Sequence, residues 1–135
     1  NSYGFIHGAN GLMCRKYLSE DKNYSEKIPL IRLSEMYYIL AESVTLEESV
    51  TYINKVRNAR GISRNNNIEA NDSYDEAARK EALNKEYQKD FFAEGQYFYF
   101  LKRHNYKTFW RCPVEKMDYY VLPTPDDEIA YGNGK

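Results

Sequence analysis

Thiols are scarce in this sequence. Cys14 and Cys112 are the only two cysteines, and they stand near opposite ends of the chain. Neither has the close-spaced companion that a disulfide framework or a zinc site requires, so both classes are excluded; one bridge between the two ends of the chain, in an oxidising compartment, is the less favoured alternative to two unpaired thiols. Histidine is equally rare, at two residues, and His7 lies among small residues with no partner at ligand spacing. It reads as a hydrogen-bonded loop residue rather than a metal ligand or base. Net charge is also lacking: 19 basic residues against 20 acidic ones leave −1. The basic patch that marks a nucleic-acid surface is therefore missing. No apolar run is long enough to span a membrane, and none has the layout of a signal peptide. Gly11-Leu12-Met13-Cys14 ends like a lipoprotein processing site, but no hydrophobic run precedes it and Met13 is too large for the position before the cut. The chain opens at Asn1-Ser2-Tyr3 without an initiator methionine, which reads as a fragment or a processed chain. Its length fits one domain.

Aromatic residues are what the sequence has in excess, with 14 tyrosines. Tyrosine joins an apolar body to a polar tip and suits half-buried positions, interfaces and sugar-facing surfaces. The densest stretch is Tyr87 to Asn105, holding Phe91, Phe92, Tyr97, Phe98, Tyr99, Phe100 and Leu101. Burying a large apolar side chain is worth roughly 1.5–3 kcal/mol, so this stretch is expected at the centre of the fold. Phe91, Phe98 and Leu101 share one helical stripe, while the others spread around the helix. A helix apolar on most sides must be covered on most sides.

The local pattern is helical. Tyr3–Ile6 and Leu12–Leu18 read as short extended pieces, and Ser19–Lys27 as an exposed loop. A helix is expected over 29–46, with Pro29 in its first turn. Its buried face is expected to carry Leu30, Leu33, Tyr37, Leu40, Ala41 and Val44. Thr45 and Glu48 form a capping box that starts a second helix, with Val50, Ile53 and Val56 as its apolar stripe. Gly61 ends it as a left-handed cap. The two helices, over about 29–61, make an αα-hairpin of the kind stacked in helical-repeat proteins. Residues 62–72 are polar and asparagine-rich, and read as a surface loop. Ser73 and Glu76 form a second capping box before a long helix over about 74–104, where Gly95 marks a bend or a close backbone approach. Glu81 and Lys85, Glu86 and Asp90, and Asp90 and Glu94 are four apart. They read as a solvated face or as salt-bridge partners rather than as catalytic acids, because a metal or acid–base site needs further ligands. Residues 119–135 form a proline-rich closing segment. Pro123 and Pro125 enforce extended backbone, and Asp126-Asp127-Glu128 suits a helix start rather than a calcium loop.

Four blocks of residues resemble the SusD/RagB family. Ile28-Pro29-Leu30-Ile31-Arg32-Leu33-Ser34-Glu35 with Ala41-Glu42 is similar to its proline-led Arg-Leu-x-Glu helix. Tyr52-Ile53-Asn54-Lys55-Val56-Arg57 with Arg60-Gly61 is similar to its Ile-Asn-x-Val-Arg helix. Glu94-Gly95-Gln96 through Leu101-Lys102-Arg103 is similar to its Glu-Gly-x-Arg signature, and Leu122-Pro123-Thr124-Pro125 with Glu128-Ile129 to its closing segment. The blocks stand in family order. Tyr97 and Phe100 replace the family's usual arginine and aspartate, and Tyr87 a frequent arginine, so aromatic packing is expected where ion pairs are usual. The chain is a divergent member.

The resemblance implies a mainly α fold: a tetratricopeptide-like helix pair, a long C-terminal helix and irregular loops, with residues 1–135 as the C-terminal segment of a larger SusD-like domain. It implies a non-enzymatic, glycan-binding accessory of a TonB-dependent, SusC-like transporter at the outer-membrane surface of Bacteroidetes, in polysaccharide utilisation. The lipid anchor and most ligand-binding residues would lie upstream. The alternative is a helical-repeat interaction scaffold whose partner is the transporter or another protein. No cofactor, metal or nucleic acid is called for. From the residues themselves, Tyr106, Phe109 and Trp110 are the candidate sugar-stacking group, because an exposed aromatic cluster can stack on the apolar faces of sugar rings.

Overall fold

A computed structural model of the chain describes residues 5–8, 11–14, 29–109 and 120–132. The fold is mainly α. Among the described residues no helix is long and apolar enough to cross a membrane. The chain divides into two compact units, Asn1–Glu86 and Tyr87–Lys135. The Ser19–Lys27 stretch, Trp110 and Cys112 lie outside the described residues.

The first unit begins with a hairpin. Strands β1 (Phe5–Gly8) and β2 (Gly11–Cys14) pair antiparallel, with Phe5 opposite Cys14 and His7 opposite Leu12. His7 therefore belongs to a strand and not to a loop. The same hairpin takes up Gly11–Cys14, the four residues that end like a processing site.

Helix α1 spans Leu33–Ser43 and α2 spans Leu46–Ala59. The first helix starts later than Pro29, because the Arg32 carbonyl accepts its opening bonds, from the Glu35 and Met36 amides at 3.1 and 3.4 Å. Arg32 is extended and gives no side-chain cap. By contrast, α2 has the expected capping box: the Glu48 amide donates to Thr45 Oγ1, and the Thr45 amide donates to the Glu48 carboxylate. Its other end closes on Gly61, whose φ of +87° is costly for any residue with a Cβ. The Ile62 amide reaches back to the Arg57 carbonyl and the Gly61 amide to that of Asn58, the two bonds of a Schellman cap.

Val50, Ile53 and Val56 are buried as their spacing predicts. The inward face of α1 differs from the expected one. Ala41 is fully buried as expected and Tyr38 is buried beside it, whereas Leu30, Leu33 and Leu40 are exposed together with Ile31, Met36 and Ile39. This segment has more large apolar residues than one face can hold. The packed face is the one that places small Ala41 inward.

Helix α3 spans Glu76–Asp90 and α4 spans Gln96–Arg103, so the single long helix expected over 74–104 is two helices. The cap of α3 is Asp75, not Ser73: Asp75 Oδ1 accepts the Ala78 amide at 2.8 Å. Ser73 is occupied by a local turn on Asn71, to which its amide and hydroxyl both donate. The break between α3 and α4 falls at Ala93, which adopts a φ of +60°. Gly95 has ordinary helical dihedrals, and a Cβ built there would meet only Tyr99 Cε2 at 3.8 Å. It is the N-cap of α4 and neither the hinge nor a point of close approach. A second left-handed residue, Asn105, ends α4 with the same Schellman pair, Tyr106 N–H to the Leu101 carbonyl and Asn105 N–H to that of Lys102.

The second unit is organised around rings. Phe91, Phe100, Leu101, Tyr87 and Tyr120 are buried. Tyr87 stacks on Phe100 with centroids 4.4 Å apart and planes at 21°, and Phe91 tilts against Tyr87 at 5.1 Å. Tyr87 and Phe100 are two of the positions at which the sequence departs from its resembled pattern. Aromatic packing occupies them. After Leu122–Pro125, helix α5 (Asp126–Tyr131) opens with the acidic residues, its first bonds accepted by the Pro125 carbonyl.

Candidate functional site

The polar residues of α2 are the first candidates for chemistry, and the structure assigns them to holding the chain together. Arg57 donates to the Glu86 carboxylate at 2.9 Å and, through its other terminal nitrogen, to the Asn66 carbonyl at 2.9 Å. Asn54 donates to the Ile68 carbonyl and accepts the Ile68 amide, at 2.8 and 2.9 Å. The Ser49 hydroxyl meets the Tyr74 hydroxyl at 3.0 Å in a buried contact. Positions 57, 54 and 49 descend along α2 while their partners 66, 68 and 74 ascend. The segment after Gly61 is thus stitched antiparallel along the helix. It includes a single 3-10 turn, Arg64–Asn66. Composition marks these residues as a surface loop, but three side chains pin them.

Glu86 and Asp90 are buried, so they do not form the solvated face expected of carboxylates four apart. The salt-bridge reading holds for Glu86. Glu81 and Lys85 do form an exposed pair, at 3.4 Å. Arg79 reaches the carbonyls at the end of α1, donating to that of Val44 at 2.7 Å, and also pairs with Glu76.

Among the described residues, two surfaces stand out as open for binding. The first is a groove of about 570 Å³ between α1 and α2. Among the described residues, Leu33, Tyr37, Val56 and Ala59 supply its apolar lining, and Arg32, Lys55 and Arg60 its charged groups. The Lys55 ammonium sits 4.8 Å from the Tyr37 ring centroid. Its pKa is raised above the usual lysine value, chiefly by a hydrogen bond with the Tyr37 hydroxyl. Tyr37 itself stacks on Tyr52, with centroids 6.1 Å apart.

The second surface is aromatic and belongs to the second unit. Tyr106 is half-buried. Its ring lies 6.0 Å from that of Phe100, and its carbonyl accepts the Tyr120 hydroxyl at 2.6 Å. Phe109 is half-buried too, and Trp110 is outside the described residues. Tyr99 and Phe98, expected in the core, are open instead: Tyr99 is 66% exposed and meets Phe98 edge-to-face at 5.6 Å. For Tyr99 the signal in the sequence was position, off the stripe that Phe91, Phe98 and Leu101 share. Phe98 lies on that stripe and is exposed all the same.

Comparison with known proteins places this architecture. The family model described as the SusD family matches residues 4–133, nearly the whole chain. No curated protein and no solved structure matches.

Proposed function

We propose, since the chain belongs to the SusD family, that it serves as the C-terminal segment of a cell-surface glycan-binding accessory to a TonB-dependent, SusC-like transporter. The family implies nutrient binding in support of outer-membrane transport. The glycan as ligand, the transporter as partner, and attachment to the outer membrane through a lipid anchor are our reading. The observation that carries it is the match over residues 4–133.

The activity we assign is binding without catalysis. A glycosidase needs two carboxyl groups about 5–10 Å apart across a cleft. Glu86 is tied to Arg57, and Asp90 is buried on the same helix. Sugar binding instead needs open ring faces beside a few hydrogen-bonding groups. Tyr106, Phe109 and Trp110 are the residues we assign to stacking, and the exposed ring of Tyr99 belongs to the same unit.

The test is a titration of the chain with a panel of polysaccharides, following fluorescence of its single tryptophan. A parallel reducing-sugar assay looks for hydrolysis. A saturable shift with one glycan class, weakened by Tyr106→Ala and without released sugar, is the expected result. Release of sugar that Glu94→Gln abolishes would replace the binding reading with an enzymatic one.

A further inference from the structure

We draw no further inference here: the strongest candidate, the groove between α1 and α2 with the exposed apolar row of Leu33, Met36 and Leu40 beside it, is an unpartnered face, and nothing in the structure shows what covers it.

Discussion

Replacing Arg57 by alanine should be among the most damaging single changes in the first unit. Arg57 ties three segments: its own helix α2, the carbonyl of Asn66 and the carboxylate of Glu86 on α3. The Glu86 side chain is 6% exposed and that of Arg57 17%. Removing one member of a buried pair deprives the other charge of its counterion, at a cost of up to about 3–5 kcal/mol. Partial exposure of the guanidinium lets water take up part of that cost, while the lost bond to Asn66 adds about 1 kcal/mol. The two corrections nearly cancel, so about 3 kcal/mol is expected for Arg57→Ala. Arg57→Lys keeps the charge but cannot donate to both partners in the same fork, and should cost about 1–2 kcal/mol. The double variant Arg57→Met/Glu86→Met removes both charges and should recover most of the loss, because an apolar pair of similar volume is close to neutral. Urea unfolding of the full chain, followed by far-ultraviolet circular dichroism, gives each value. An Arg57→Ala cost below about 0.5 kcal/mol, the scale of an exposed pair, would refute the argument that this bridge is structural.

Three further outcomes follow from the same geometry. Ala93→Gly relieves a left-handed residue and Gly95→Ala fills a helical position with space around it, so each should stabilise the chain by about 0.5–1 kcal/mol in urea unfolding; destabilisation by Gly95→Ala would return the hinge to Gly95. Asn54→Ala removes both bonds to the Ile68 backbone and should cost about 2 kcal/mol, with faster hydrogen exchange at the Ile68 amide. The raised pKa of Lys55 stabilises the folded state below the ordinary lysine value, and this contribution disappears as the pH rises through the raised one; Tyr37→Phe should lower the Lys55 titration seen by NMR.

What could be read from the sequence was what is decided locally. The start of α2 depends on two residues three apart, and its end on one glycine. The capping box and the left-handed cap follow directly from them. The stripe of Val50, Ile53 and Val56 has no apolar rival on its helix, so its burial also follows. On α1 the apolar residues outnumber the places available. Spacing put Ala41 inward, as it is, but set Leu33 and Leu40 beside it, whereas packing chose Tyr38. The bend was misplaced for a related reason. Glycine is the residue that signals freedom, and Gly95 drew attention from Ala93, whose left-handed backbone has no marker in its side chain. The roles of Asn54 and Arg57 depend on contacts with residues 66, 68 and 86, which no local pattern encodes. The aromatic candidates were legible only as residue types, since exposure of Tyr99 and half-burial of Tyr106 depend on what packs beside them.

The departures from the family pattern make physical sense when taken together. A charge removed from an interior pair leaves its partner buried and uncompensated, which costs several kcal/mol. The chain avoids that penalty because both Tyr87 and Phe100 are aromatic, and they lie stacked at 4.4 Å, with the rings of His104 and Tyr106 tilted at 4.6 and 6.0 Å from Phe100. Stacked rings of this kind add about 0.5–1.5 kcal/mol beyond the area they bury. They also need no hydrogen-bond partner for a charged group. By contrast, Arg57 and Glu86 keep their charges on the side of the chain where a loop must be held at a fixed register, and a guanidinium can grip a carboxylate and a backbone carbonyl at once. Apolar packing therefore serves where ring meets ring, and a charged fork serves where one side chain bonds two partners at once.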